Sequence, residues 1–433
     1  MACPCAWQSG ISLLLLHPLT TITRRLQGTA PGDGNGGMRV MLHVEVYQGR
    51  SGLETIAEDW RHLQGILTHR RFFHNLGWWK SCLNVLDGDT AQVSFFVVRR
   101  ARQALAIFPL KRQVGKWCGL PVRQWVLPGH PHMPLNDILC ERNADFKEVV
   151  ATLTRVLQGR EYGGWDALSF TEVLAESPLT GHVLNAGGLA GMRQWKSCDS
   201  LRCTSSYKEI TAKFSRNFRS NLSKARHKLA REKDVEFRSA TDQPALNSGF
   251  AEFLDIEASG WRGTKGAGTA IKLFPELVMF YQSLIDELCP SREVIINSLV
   301  VGGKTIASQF CVKDDDTLYV LKLAYDEEWS HLSPGNMLLE RVIRNGIREK
   351  LFLHISLVGD PAWFKDWRPE GMAVYSIRYF NVTPAGMAMY GMMKVKQWLR
   401  PYYYRLMKRD RGAEKPPDAG VSAPYQGKSL RGC

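Results

Sequence analysis

The feature that most constrains the fold is a diglycine set between two apolar runs. Val294-Ile-Ile-Asn-Ser-Leu-Val leads to Gly302-Gly303, and Lys304-Thr-Ile-Ala-Ser-Gln-Phe-Cys-Val follows. Glycine accepts the positive φ that a two-residue hairpin turn requires, so the two runs read as paired antiparallel strands. Thr317–Tyr325 reads as a third strand, 335–349 as an amphipathic helix and 351–357 as a further strand. Hairpin-linked strands followed by strand, helix and strand make an α+β pattern. A doubly wound parallel sheet is excluded, because helices would have to join its strands.

The first half of the chain echoes this order. Residues 41–47 alternate as a strand, 51–68 and 75–85 carry helical stripes, and 93–98 and 104–110 are apolar strands. The stretch 113–136, rich in Gly, Pro and Trp, reads as a loop. Residues 137–140 then read as a short strand, 144–158 as a helix and 165–170 as a strand. Helices over 206–232, 245–259 and 273–288 and a strand at 235–237 open the second half. Glycines 187, 188 and 191 mark the divide, giving domains at 39–195 and 196–385. Residues 1–38 read as a disordered leader, with Met38 or Met41 as candidate starts, and 386–433 as a basic tail whose end, 412–433, is disordered.

Lys and Arg number 56 against 42 Asp and Glu, a net charge of +14 that suits an anionic partner: a nucleotide-bearing cofactor, an anionic membrane surface or a nucleic acid. The ten cysteines are scattered without CxxC spacing, so no metal site is expected and the thiols read as those of a cytoplasmic protein. No segment reaches the roughly 18–20 apolar residues of a membrane span.

Chemistry concentrates after the third strand of the hairpin region. Ser333-Pro334-Gly335 opens an amphipathic helix: Ser suits the N-cap, Pro the first helical position, and Gly lets a ligand approach the backbone. Free amides and the helix dipole there make an anion site that a pyrophosphate would fit. The alternative is an ordinary capped helix.

Four segments, Phe214–Leu229, Phe253–Ile271, Tyr325–Leu339 and Gly359–Trp367, together resemble the GNAT-superfamily acetyltransferases of the CelD/BcsL type, linked by name to cellulose biosynthesis and related to the FemABX-like tandem-GNAT proteins. The likeness is strong over about 200–370 and weaker over about 45–190, where Pro134–Leu139 precedes a helix. It implies tandem GNAT-like domains, an α+β fold of mixed, mostly antiparallel sheets flanked by helices, with acetyl-CoA or another acyl-CoA as donor. It places the pyrophosphate on Ser333, Pro334, Gly335, Asn336 and Met337, although the family's Gln/Arg-x-x-Gly-x-Gly/Ala loop is replaced here by Ser-Pro-Gly.

Acyl transfer to an amine needs a base, oxyanion donors and an acid for the leaving thiolate. The acid candidate is Tyr325; the base candidates are Asp326, Glu327, Glu328, His331 and Asp360. Asp360 and Lys365 match the family's acidic residue and Lys before Trp, and Lys365 suits an anionic acceptor group. Arg219, within a basic stretch over 208–233, and Trp261 and Arg262, in a Gly-rich loop, are candidates for acceptor binding; each also reads as a surface or core residue. The expected partners are acyl-CoA and an amine-bearing acceptor, a nucleotide- or lipid-linked sugar, and no DNA. The basic tail is a candidate for peripheral contact with the inner membrane face, though Pro401 is expected to interrupt any single helix there. The leading reading is a cytoplasmic N-acetyltransferase of polysaccharide or cell-envelope synthesis. The alternatives are an aminoacyl-tRNA-dependent transferase of FemABX type and a non-catalytic subunit of a polysaccharide synthase.

Overall fold

The computed structural model describes residues 41–85, 93–117, 120–185, 188–204 and 206–410. The leader read over 1–38 and the tail end read over 412–433 lie outside the described residues. The first half contains β1 (Leu42–Gln48), α1 (Gly49–Thr55), α2 (Ala57–Ile66), α3 (Leu76–Val85), β2 (Val93–Arg100), β3 (Gln103–Trp117), β4 (Leu120–Val126), β5 (Leu139–Cys140), α4 (Phe146–Leu157), β6 (Ala167–Leu174), α5 (Pro178–Asn185) and β7 (Ala190–Arg202). The second contains α6 (Tyr207–Ala212), α7 (Arg216–Leu229), β8 (Val235–Ala240), α8 (Gln243–Ser259), α9 (Pro275–Leu288), β9 (Val294–Val301), β10 (Lys304–Asp314), β11 (Thr317–Tyr325), α10 (Pro334–Arg348), β12 (His354–Ser356), β13 (Glu370–Phe380) and α11 (Pro384–Asp410).

The described strands form one sheet in the order β1-β2-β3-β4-β6-β13-β7-β12-β11-β10-β9-β8, with β5 on β3. The diglycine hairpin forms as expected: Gly302 and Gly303 take φ of 56° and 79°, and Lys304 pairs with Val301. Each half holds one short parallel pair bridged by a helix. β4 pairs with β6 over Gln124–Val126, and β11 pairs with β12 over Thr317–Tyr319.

At the centre the two halves exchange strands. β7, the last strand of the first half, pairs with β12 of the second, and β13, the last strand of the chain, pairs with β6 of the first. β7 and β13 also pair with each other from Ser200–Glu370 to Ala190–Tyr379. The divide drawn at 195/196 thus falls inside β7, a strand that the sequence pattern conceals because its burial does not alternate: residues 193–195 are all exposed and Cys198 and Asp199 are both buried.

Three large apolar clusters hold α1 to α10, and a fourth, smaller one seats α11. One lies between β-strands of the first half and α4 and α5. A second, containing Phe218, Leu222, Met337 and Ile343, seats α7 and α10. The third spans both halves: Trp78 of α3 meets Phe280 of α9 edge-on at 5.7 Å between ring centroids, and Phe72 meets Tyr319 at 4.7 Å. Arg70 reinforces that junction, reaching Glu293 at 3.1 Å and Asp314 at 2.7 Å.

Two local expectations are corrected. Residues 113–126 are not a loop: β3 runs on to Trp117 and returns as β4. Pro121 fits because β4 pairs with β6 only from Gln124 onward, so at 121 one side of the strand needs no ladder bond. Nor does Pro401 end the tail helix: α11 continues through it to Asp410, the lost amide bond being a local cost within 27 helical residues.

Ile377 of β13 is fully buried in the first half's cluster although it lies in the last strand. Truncation to Ala is expected to lower the unfolding free energy by about 2–5 kcal/mol. Urea unfolding followed by tryptophan fluorescence checks this; an unchanged midpoint would contradict the strand exchange.

Candidate functional site

β11 keeps β12 beside it for three residues only, then runs on to Tyr325, while the chain after β12 turns to β7, with the Asp199 amide donating to the Gly359 carbonyl at 2.9 Å. The backbone edge of β11 from Val320 to Tyr325 therefore lines a wedge-shaped opening. Within it the β10–β11 register slips: Cys311 faces Val320 and Phe310 faces Lys322, leaving Leu321 as the extra residue of a β-bulge.

The bulge re-aims a side chain. Leu318 and Val320 face the α7 and α10 cluster, whereas Tyr319 and Ala324 face α8 and α9. Strict alternation would send Lys322 to the side of Val320. After the bulge it faces Glu257 of α8, whose charge it senses, and the His130–His132 turn of the first half, whose imidazoles its own charge pushes down. Burial pushes the Lys322 ammonium down to about 8, against the pull of Glu257 and helped by Arg262. Burial likewise raises the Glu257 carboxyl, although its Oε2 accepts the Ile271 amide at 2.8 Å. His132 is driven down to about 2 by burial and by Lys322, so it is neutral, with Nδ1 2.9 Å from the Tyr281 hydroxyl.

At the mouth of the opening α10 begins. Ser333 is its N-cap residue and sits in the left-handed region, φ 51° and ψ 52°, with Pro334 at the first helical position. The expected capping bond does not form: the Ser333 hydroxyl does not bond to the first turn. Gly335 packs close to β11, since a Cβ added there would lie 3.4 Å from Leu323 and 3.6 Å from Tyr325. Asn336 accepts from the Trp367 indole at 3.0 Å, Pro334 and the Met337 side chain are buried, and the Ser333 and Met337 amides are already donated, to the Ser330 carbonyl at 2.9 Å and the Ser333 carbonyl at 3.0 Å. Gln309, fully buried, has neither side-chain polar atom hydrogen-bonded among the described residues. It pairs with Leu323, so it shares the face on which α10 starts. Lys228 of α7 borders the same place, donating to the His331 carbonyl at 3.2 Å.

Tyr325, Trp261 and Arg262 are brought together around a cleft of about 300 Å³, with Glu257 and Glu327 in its wall. The Arg262 guanidinium stacks 4.7 Å over the Trp261 ring, and the Trp261 amide donates to Glu327 Oε1 at 3.0 Å. Asp360 is exposed on the opposite lip of the opening. Lys365 donates to Asp199 Oδ2 at 2.5 Å and so is tied to β7. Arg219 stands apart, its Nη1 donating to the Phe214 carbonyl at 2.9 Å and to the carbonyls ending α6. Among the other base candidates, Asp326 is paired with Lys304 at 2.6 Å and His331 stacks on Trp329. Among the described residues no group of three or more His, Cys, Asp and Glu is placed to hold a metal ion.

The sequence reading passed over Glu257, Lys322 and the His130–His132 pair. Two of them carried a signal: a lone lysine inside Val-Leu-Lys-Leu-Ala, and a glutamate on a helix face otherwise made of Phe250, Phe253 and Ile256. A second cleft, of about 470 Å³, opens in the first half and reaches this cluster at His130, with Trp79, Lys111 and Met133 in its lining.

Residues 216–366 match the family described as the acetyltransferase (GNAT) domain. Among solved structures, FemX superposes with a TM-score of 0.50 at 10% identity, covering 78% of this chain and 97% of that one. The C-terminal DUF2156 domain of a putative lysylphosphatidylglycerol synthetase from Agrobacterium fabrum gives 0.45 at 12% identity, over 77% and 95% of the two chains. A tandem GNAT protein from the clavulanic acid biosynthesis pathway gives 0.42 at 11%, over 77% and 98%. Comparison with curated proteins finds no match. The protein has a GNAT-like fold with a mixed sheet flanked by helices, and the acetyltransferase match of residues 216–366 supports an acyltransferase.

Lys322 titrates near 8 when folded and at 10.5 when free, so between these values the unfolded chain holds a proton the folded one has lost. The Lys322 contribution to unfolding free energy is therefore expected to rise with pH across that window. Glu257→Gln removes the opposing charge and is expected to move the Lys322 titration below pH 8, read by NMR of labelled lysine ε-positions. An unmoved titration would show that the two groups do not face each other.

Proposed function

We propose that the protein transfers an acyl group from an acyl-CoA, acetyl-CoA foremost, to an acceptor amine in the opening beside β11. The observation that carries this reading is the start of α10, unfilled by any side-chain cap and set at the mouth of that opening. The two helices that bridge parallel strands differ in this respect. In α4 the Asp145 carboxylate accepts from the Lys147 and Glu148 amides, so an internal anion already occupies the helix start. In α10 the corresponding position is left for an external one. The buried, unpartnered Gln309 carboxamide nearby also fits a polar ligand.

Ser333, Pro334, Gly335, Asn336 and Met337 would hold the pyrophosphate, the Gly335 and Asn336 amides as donors and the other three, whose amides are absent or already donated within the chain, contributing shape. Bound there, acyl-CoA supplies an activated thioester. Amides along the unpaired edge of β11, re-aimed by the bulge, suit a developing oxyanion. Glu257, its carboxyl raised above the ordinary carboxylate value by burial, takes the proton from the acceptor ammonium, and Tyr325 gives one to the departing sulfur. Trp261 and Arg262 orient the acceptor, which approaches past His130. Asp360 and Lys365 border the opposite lip, Lys365 for an anionic acceptor group and Asp360 as the second candidate base. Arg219 is the outer candidate for acceptor contact. An amine-bearing nucleotide- or lipid-linked sugar in cytoplasmic cell-envelope or polysaccharide synthesis, of the CelD/BcsL type, is the acceptor class we favour. The net charge of +14 supports a second reading, an aminoacyl-tRNA donor.

Isothermal titration of acetyl-CoA separates these. The parent is expected to bind, Gly335→Ala to bind as well, because the added Cβ makes only ordinary contacts, and Gly335→Glu to lose binding. No binding by the folded parent would favour the tRNA donor or a non-catalytic role. With an acceptor in hand, Glu257→Gln is expected to lower kcat about 10²- to 10⁴-fold with little change in KM for the donor.

A further inference from the structure

The base of α11 is fastened to the first half. Thr383 donates to Asp166 Oδ1 at 2.6 Å and accepts the Gly386 amide at 3.0 Å. Met389 is buried with Val122, Ala167 and Phe380, and Met393 lies over Gly191, where any Cβ would collide with its sulfur. Past Met393 the helix leaves the body. Residues 394–400 are all exposed, and the helix continues to Asp410, about 25 Å beyond Met393 at 1.5 Å per residue.

This projecting segment is amphipathic. Val395, Trp398 and Leu399 stand 49%, 66% and 46% exposed at helical spacing, and Tyr402 and Leu406 continue the same stripe in the sequence. Lys394, Lys396, Arg400, Arg405, Lys408 and Arg409 accompany it, and Asp410 is the one acidic residue of α11. A tryptophan-centred stripe with cations around it suits the boundary between anionic headgroups and acyl chains. No helix among the described residues is long and apolar enough to cross a membrane, so such a helix would lie along the surface. Two copies of a helix with six cations and one anion repel each other, which argues against self-pairing. The aliphatic and aromatic stripe is superfluous for RNA.

We propose that residues 394–410 of α11 dock the protein in the plane of an anionic bilayer, apolar stripe inward. The test is flotation of the full chain with vesicles containing phosphatidylglycerol and with vesicles of phosphatidylcholine alone. The parent is expected to float with the anionic vesicles only, and less at high salt. Trp398→Ser with Leu399→Ser, and separately Lys394→Gln with Lys396→Gln, are each expected to weaken partition about tenfold or more. Circular dichroism and urea unfolding should remain those of the parent, since all four residues are exposed. Absence of flotation overturns the proposal. So does flotation unaffected by Trp398→Ser with Leu399→Ser, which would mark charge adhesion of the kind RNA shares. A concentration-dependent dimer abolished by that variant would assign the stripe to a second copy and overturn it equally.

Discussion

Every other feature of the molecule depends on the ladder between β7 and β13. A strand's amide and carbonyl groups must be paired on both sides once it is buried. Without the exchange, β6 would end the first half's sheet and β12 the second's, each with an open edge in the interior. β7 and β13 fill those edges reciprocally, each pairing with the half to which it does not belong by sequence. The result is one sheet whose halves cannot separate without breaking two ladders and the shared aromatic cluster. That rigidity lets residues from both halves, Lys322 and Glu257 on one side and His132 on the other, face one another at fixed positions.

The same architecture produces two parallel pairs, each bridged by a helix, and the halves treat them differently. In the first half Asp145 caps α4, and Arg123 grips Asp166 at 2.9 Å across the base of β4 and β6. The corresponding elements there are closed on themselves by internal charge pairs. In the second half β11 diverges from β12, the bulge at Leu321 frees and redirects its edge, and α10 starts without a side-chain cap. One pattern, present in both halves, thus has its helix start capped by a side chain in the first half and left without such a cap beside the β11 edge in the second.

Much of this was legible in the sequence. The diglycine fixed the central hairpin, the spacing of Phe218, Leu222, Ala225 and Leu229 fixed the buried face of α7, and Ser333-Pro334-Gly335 marked the start of α10. These are local signals, set by turn geometry and helical period. The third and fourth segments of the family likeness led to Tyr325 and the lip at Asp360. What sequence concealed was long-range. β13 has no partner near it in the chain, and β7 hides behind glycines that look like a linker. Lys322 and Glu257 are 65 residues apart in the numbering, and their relation depends on a register slip that no residue type announces.

The sequence by itself determined which segments become strands and helices around the hairpin, the +14 charge and the place where α10 starts, because each follows from contacts between near neighbours or from composition. Only the tertiary structure decided that Ser333 leaves that start uncapped, that a bulge turns Lys322 toward Glu257, that Arg219 is engaged by the end of α6 and that α11 passes through Pro401. In each case the outcome rests on where a distant backbone or charge lies, and that is set by packing two halves into one sheet.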